Sequence, residues 1–263
     1  MKHPEKFPQG VPCWADLMTS DVPAAREAYG ALLGWTYVDG TEESGFYSMA
    51  LVDGVSVAGV GALPPDAPQP PAWTVYLAVD SCDDTLTAVR EAGGTVLMGP
   101  IDVRVPAYMG RMAVIADPAG AVVGLWQSVE HTGFGAVQQD GTVVWNECMS
   151  RDAARSREFL ATVFGYEFQQ IGDGEQFDYT VGIIAGEEQI GVMAMGSSYP
   201  AEVPSYWMPT FQVADADATA ATLTAAGGQL MMGPDDSPYG RIVVGADPQG
   251  AAVGFIQPTP RQG

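Results

Sequence analysis

The chain has 263 residues, 47% of them apolar, which is enough for a full hydrophobic core in two modest domains and excludes a disordered protein. Its formal charge of −21, from 32 acidic against 11 basic residues, would be repelled by phosphate backbones and anionic lipid, so nucleic acid and membrane surfaces are excluded as partners. Three cysteines without CxxC spacing exclude a disulfide framework, and no apolar run or signal peptide marks export, so the expectation is a cytoplasmic protein.

Residues 1–10 read as a polar lead. Residues 11–18, VPCWADLM, form a strand by their apolar and aromatic character. Alternation puts Trp14, Asp16 and Met18 on one face, with Cys13, Ala15 and Leu17 on the other. Asp21 is the expected N-cap of a helix with Pro23 in its first turn, ending at Gly34. Its Ala25, Ala28, Tyr29 and Leu32 share the face that packs on Ala15 and Leu17. Strands at 45–52 and 56–63 follow, joined by the hairpin signal Asp53-Gly54. The proline-rich stretch 64–72 is a surface linker, because it lacks amide donors. A strand at 73–80, a helix at 83–92 closed by Gly93-Gly94, and an extended 95–98 come next. A loop at 99–109, carrying Arg104 and Tyr108, is placed to cover a cavity. It leads into 110–127, GRMAVIADPAGAVVGLWQ, two strands turning at Asp-Pro-x-Gly.

After a bridge at 131–141 the pattern restarts. Residues 142–149, TVVWNECM, mirror the first strand; Asp152 mirrors Asp21, Gly165 mirrors Gly34 and Tyr179 mirrors Tyr47. Residues 208–215 repeat 73–80, Gly227-Gly228 repeat Gly93-Gly94, and GRIVVGADPQGAAVGFIQ at 240–257 repeats the hairpin. The chain is therefore a duplication, read as an α+β fold of four β-α-β-β-β units in two domains, 1–130 and 142–263.

Four such units, with W-x-[DE]-L/C-M-x-x-D opening each half and G-R-[MI]-x-V-x-x-D-P-x-G-A closing it, resemble the vicinal oxygen chelate superfamily of glyoxalase I, extradiol dioxygenases and bleomycin-resistance proteins. More narrowly, the chain resembles tandem hydroxylase-like or glyoxalase-like bacterial proteins, some from aromatic polyketide antibiotic clusters. The resemblance implies two half-open barrels, each with one cavity, and in metal-using members four ligands converging from strand positions. Those positions fall here on Trp14 and Trp145, on Thr74 and Pro209, and on Gly124 and Gly254. The fourth falls within 57–61 and 189–193, which hold no His, Asp, Glu or Cys. The histidines are His3 and His131, near the terminus and in the bridge. Indole, glycine and proline offer no donor to an ion, so the expectation is no metal and no cofactor in either half.

In place of a metal, Trp14 and Trp145 opposite Gly124 and Gly254 suit a planar aromatic ligand. Met18, Tyr47, Met49, Thr74, Tyr76, Tyr108, Met112 and Trp126 are further candidates in the first half, with Met149, Tyr179, Phe211, Ile242 and Ile256 in the second. The alternative for each aromatic is ordinary core packing. Asp16 and Glu147, at matching sites beside the tryptophans, are candidate catalytic bases or ligand-orienting acceptors; the alternative is an ion pair with Arg111 or Arg241. The expected function is metal-free binding of a drug or secondary metabolite, for resistance, sequestration or handover to a biosynthetic enzyme. Against it stand a glyoxalase, dioxygenase or hydroxylase, and a metal-free isomerase or cyclase using Asp16 or Glu147. The first half, with its longer loop, is the favoured site.

Overall fold

Asp21 accepts the Ala24 amide at 3.0 Å and so starts α1 (Val22–Leu33), which Gly34 ends at φ +70°. In a computed structural model, which describes residues 6–105, 107–174, 177–197 and 199–259, the other helices begin in the same way. Ser81 caps α2 (Cys82–Glu91), Asp152 caps α3 (Ala153–Phe164) and Asp215 caps α4 (Ala216–Ala225). Each half anchors its second helix once more. The Gln127 side chain accepts the Cys82 amide at 2.9 Å, and Gln257 accepts that of Ala216 at 3.1 Å.

The strands of the first half are β1 (Pro12–Thr19), β2 (Thr36–Val38), β3 (Ser48–Val52), β4 (Val55–Ala62), β5 (Ala72–Ala78), β6 (Thr95–Val103), β7 (Gly110–Ala116) and β8 (Val122–Ser128). Those of the second are β9 (Val143–Ser150), β10 (Glu167–Gln170), β11 (Tyr179–Ile184), β12 (Glu187–Ala194), β13 (Tyr206–Gln212), β14 (Gln229–Ser237), β15 (Gly240–Ala246) and β16 (Ala252–Pro258). Each unit is one strand, one helix and three strands, and each half folds into one eight-stranded sheet. The orders are β2-β3-β4-β1-β5-β8-β7-β6 and β10-β11-β12-β9-β13-β16-β15-β14. Opening strands β1 and β5 pair antiparallel, and β9 pairs β13 likewise, so the seam between units lies mid-sheet.

Turn chemistry sets the hairpins. Asp53 and Gly54, at φ +50° and +76°, make the two-residue turn between β3 and β4. In each Asp-Pro-x-Gly turn the carboxylate also binds backbone: Asp117 accepts from Ala119 and Ala121, and Asp247 from Gln249 and Ala251. The segment expected as a loop from residue 99 is strand as far as Val103. The second of two irregularities in its pairing with β7 absorbs Gly99-Pro100, where a regular ladder would need an amide that proline lacks.

The outer faces of the two sheets pack together. Trp35 and Trp73 meet Phe211 of the other half at 5.3 and 5.2 Å between ring centroids, and Tyr29 stacks on Trp35. Cys13, Ala15, Leu17 and Phe211 are wholly buried, so the halves share one core. Cys13, Cys82 and Cys148 are free thiols within the packed interior. No described helix is long and apolar enough to cross a membrane.

Candidate functional site

Alternation along β1 turns Trp14, Asp16 and Met18 to the inner face of the first sheet, and the register fixes their neighbours. Asp16 lies between Gly59 of β4 and Thr74 of β5; Trp14 faces Tyr76, which in turn faces Gly124 of β8. Met49 lies beside Gly59, and Met112 beside Trp126, so both also belong to this face. Together these side chains line a cup.

Tyrosines fill the room that glycines leave. A Cβ on Gly59 would fall on the Tyr47 hydroxyl, and one on Gly124 would sit 2.2 Å from the Tyr76 ring. Gly124 is therefore not an open floor, as expected from its lack of a side chain, but the bed on which Tyr76 lies. Gly254 has the same relation to Thr210, whose Oγ1 would be 2.4 Å from an added Cβ.

The bedded tyrosines converge on one carboxylate oxygen. Tyr47 and Tyr76 donate to Asp16 Oδ2 at 3.2 and 3.1 Å, and Trp14 Nε1 donates to the Tyr47 hydroxyl at 3.0 Å. Asp16 Oδ1 is buried with no hydrogen-bond partner. Burial pushes the Asp16 carboxyl up to about 7, against the lowering effect of the two phenols. Burial also holds both phenols well above their ordinary range, with the Asp16 charge adding to it, so they stay protonated donors. Neither expected arginine reaches these carboxylates: Arg111 pairs with Asp102 and Asp83, and Arg241 with Asp217 and Asp236.

His131, which the sequence placed in a remote bridge, returns to this cup. Its backbone carbonyl accepts from Trp126 Nε1 at 2.8 Å, and its amide joins those of Val129 and Glu130 on the Met109 carbonyl. The imidazole meets Trp14 edge-on at 4.5 Å and Trp126 at 5.6 Å, and its Nε2 is buried without a partner. Desolvation lowers its pKa to about 4, so the ring is neutral near pH 7. Phe134, three residues on, packs against Trp14 at 5.6 Å. The bridge thus walls the first cup.

The second cup repeats the relay with one phenol. Trp145 Nε1 donates to the Tyr179 hydroxyl at 2.8 Å, which donates to Glu147 Oε1 at 2.7 Å. Burial raises the Glu147 pKa, and Tyr199 and Tyr206 also feel its charge. Met149 is buried alongside. Trp145 and Glu147 are half-buried, whereas Trp14 and Asp16 are 5% and 6% exposed, so the first cup is the drier.

Two expected lining residues lie elsewhere. Phe211 sits on the outer face in the shared core; the inner-face counterpart of Tyr76 is Thr210, opposite Trp145 and beside Gly254. Pro209, matched to Thr74 by sequence, faces Asn146, and the residue opposite Glu147 is Met208. The slip comes from aligning Asp80 with Asp215, whereas the helix cap equivalent to Asp215 is Ser81. Tyr108 turns away as well. Its hydroxyl donates to Asp102, which also binds Arg104 and Arg111 and is held at about 2 by those guanidiniums. Trp14, Met18, Tyr47, Met49, Thr74, Tyr76, Met112 and Trp126 do share the inner face of the first sheet. A surface recess of about 300 Å³ opens between α1 and α4, and one of about 340 Å³ lies between the halves, bordered by Phe7, Phe134 and Trp145.

The positions at which the resemblance puts metal ligands carry an indole, a threonine and a glycine in the first cup, and an indole, methionine or proline, and glycine in the second. Among the described residues no group of three or more His, Cys, Asp or Glu is arranged to hold an ion. His3 lies outside them. This donor set does not fit the superfamily's metal.

A model of the Glyoxalase/Bleomycin resistance protein/Dioxygenase superfamily matches residues 13–125 and 143–255. CFP32 of Mycobacterium bovis, which carries a provisional glyoxylase name, is 40% identical over 98% of both chains. The anthracycline biosynthesis protein DnrV of Streptomyces peucetius is 32% identical over 96% of this chain and 94% of its own. Among solved structures, the Mn(II)-bound glyoxalase of Novosphingobium aromaticivorans superposes with a TM-score of 0.65 at 16% identity, over 95% of this chain and 83% of that one.

Proposed function

The chain belongs to the Glyoxalase/Bleomycin resistance protein/Dioxygenase superfamily as two tandem domains, and from that premise we propose that it is a metal-free member that binds a planar aromatic small molecule. The observation that carries the reading is Asp16: a buried carboxylate inside a cup of aromatic rings, oriented by two phenols through one oxygen and free at the other. Flat rings supply apolar contact area, and a single free acceptor supplies orientation, which is the usual division of labour in a small-molecule site. At the positions where the resemblance puts the superfamily's metal ligands, this chain has no His, Asp, Glu or Cys. The likeness to a protein of anthracycline biosynthesis favours a role in sequestering a secondary metabolite or handing it to a biosynthetic enzyme.

Titration of the full chain with planar aromatic compounds, followed by calorimetry, tests the reading; saturable binding is expected. Elemental analysis of protein purified without chelator is expected to give well under one equivalent of Zn, Fe, Ni or Mn. Stoichiometric metal would overturn the proposal.

A second reading is favoured by the Asp16 pKa of about 7, which suits a general base at neutral pH. In a metal-free isomerase or cyclase the carboxylate would take a proton from bound substrate while Tyr47 and Tyr76 stabilise its charged form. It predicts that Asp16→Asn abolishes turnover with binding retained.

A further inference from the structure

Two buried polar atoms of the first cup lack partners, Asp16 Oδ1 and His131 Nε2, and both belong to groups in contact with the Trp14 side chain or with its hydrogen-bond chain. An unsatisfied buried polar atom costs about 1–3 kcal/mol, so two in one wall call for an occupant that satisfies them. Each is held rigidly. Asp16 is fixed by two phenols through its other oxygen, and the His131 backbone is pinned by Trp126 on one side and by Met109 on the other. A ligand that satisfied both atoms would carry oxygen on its rim, and the indoles of Trp14 and Trp126 beside His131 favour a flat, apolar body.

Resting on the reading of the first cup as an aromatic site, we infer that its ligand class is the hydroxylated planar aromatics, and that His131 is a specificity-determining residue. A rim hydroxyl of the ligand donates to Asp16 Oδ1, and a second rim hydroxyl donates to His131 Nε2. The bridge between the domains is then part of the binding site rather than a spacer. The second cup has no described histidine in this role, so selectivity for rim oxygens is a property of the first cup.

The test is calorimetry of the full chain with 1,8-dihydroxyanthraquinone, its dimethyl ether and anthracene, which has no rim oxygen. The dihydroxy compound is expected to bind about tenfold tighter than the ether, the scale of one good buried hydrogen bond. His131→Phe keeps a ring against Trp14 and Trp126 but removes the nitrogen. It should erase most of that preference while anthracene affinity, which rests on ring contact alone, changes by less than about twofold. His131→Gln, which restores a polar atom, should recover part of the preference, and Asp16→Asn should lose it without touching the bridge. Equal binding of the dihydroxy compound and the ether by the native chain overturns this inference and leaves aromatic binding standing. Full selectivity in folded His131→Phe removes His131 from the site. Failure of all three compounds to bind sinks the parent reading as well.

Discussion

Asp16 sets the chemistry at the scale of single residues, and its ionisation couples to folding. Its carboxyl titrates near an ordinary 3.8 when unfolded and near 7 when folded. A raised folded value means the native state holds the proton more tightly. Stability from this group is full below pH 4, falls as pH rises towards 7, and is then constant. The span is on the order of 4 kcal/mol, at about 1.4 kcal/mol per unit. Urea unfolding from pH 4 to 8 should show this decline in the native chain and a shallower one in Asp16→Asn. Parallel curves for the two would mean that the carboxylate is better solvated than its geometry implies. Alternation in a short strand was enough to place Trp14 and Asp16 together. His131 was not legible in that way: a bridge residue has no periodicity, and what brings it home is the Met109 carbonyl accepting three successive amides.

Among elements, β5 and β8 show how the cup is built from strand pairing rather than from loops. Tyr76 faces Gly124 across a parallel pair, and only a residue without Cβ lets the ring lie flat enough to reach Asp16. Gly124→Ala should therefore shift Tyr76 off Asp16, at a cost of roughly 1–3 kcal/mol for overpacking, and weaken ligand binding to the first cup. Thermal melts together with calorimetry check it; a variant with native stability and affinity would show that the ring has room to yield. The same pairing explains why Phe211 was misread. The caps Ser81 and Asp215 are chemically different residues doing one job, so matching Asp80 to Asp215 moved β13 by one position. In a strand, one position exchanges the faces. The hairpins and the caps of α1 and α3 were legible because Asp-Gly, Asp-Pro-x-Gly, a capping Asp and a terminal glycine act locally. The bulged course of β6 was not, since it depends on its partner β7.

The whole molecule is joined by a reciprocal exchange between the halves. Tyr29 of α1 donates to Asp247 in the turn of the second half at 3.2 Å, and Ser156 of α3 donates to Asp117 in the turn of the first at 2.5 Å. Each Asp-Pro-x-Gly turn thus closes its own hairpin with one carboxylate oxygen and grips the opposite domain with the other. Tyr29 also accepts from Trp73 Nε1 at 2.8 Å, within the ring cluster of Trp35, Trp73 and Phe211. Burial and the Asp247 charge hold its phenol well above the ordinary range, so it remains a donor throughout the usable pH range. A core shared on this scale leaves neither half a complete interior of its own. Differential scanning calorimetry of the intact chain should give one cooperative transition, and residues 1–130 alone should associate or aggregate through the uncovered tryptophans. Tyr29→Phe, which strands Asp247 Oδ2 and the Trp73 indole, should lower stability by roughly 1–3 kcal/mol while leaving a single transition. Two separable transitions in the native chain would instead mean that the cups fold independently, and that the bridge carrying His131 is held to the first cup by that domain alone.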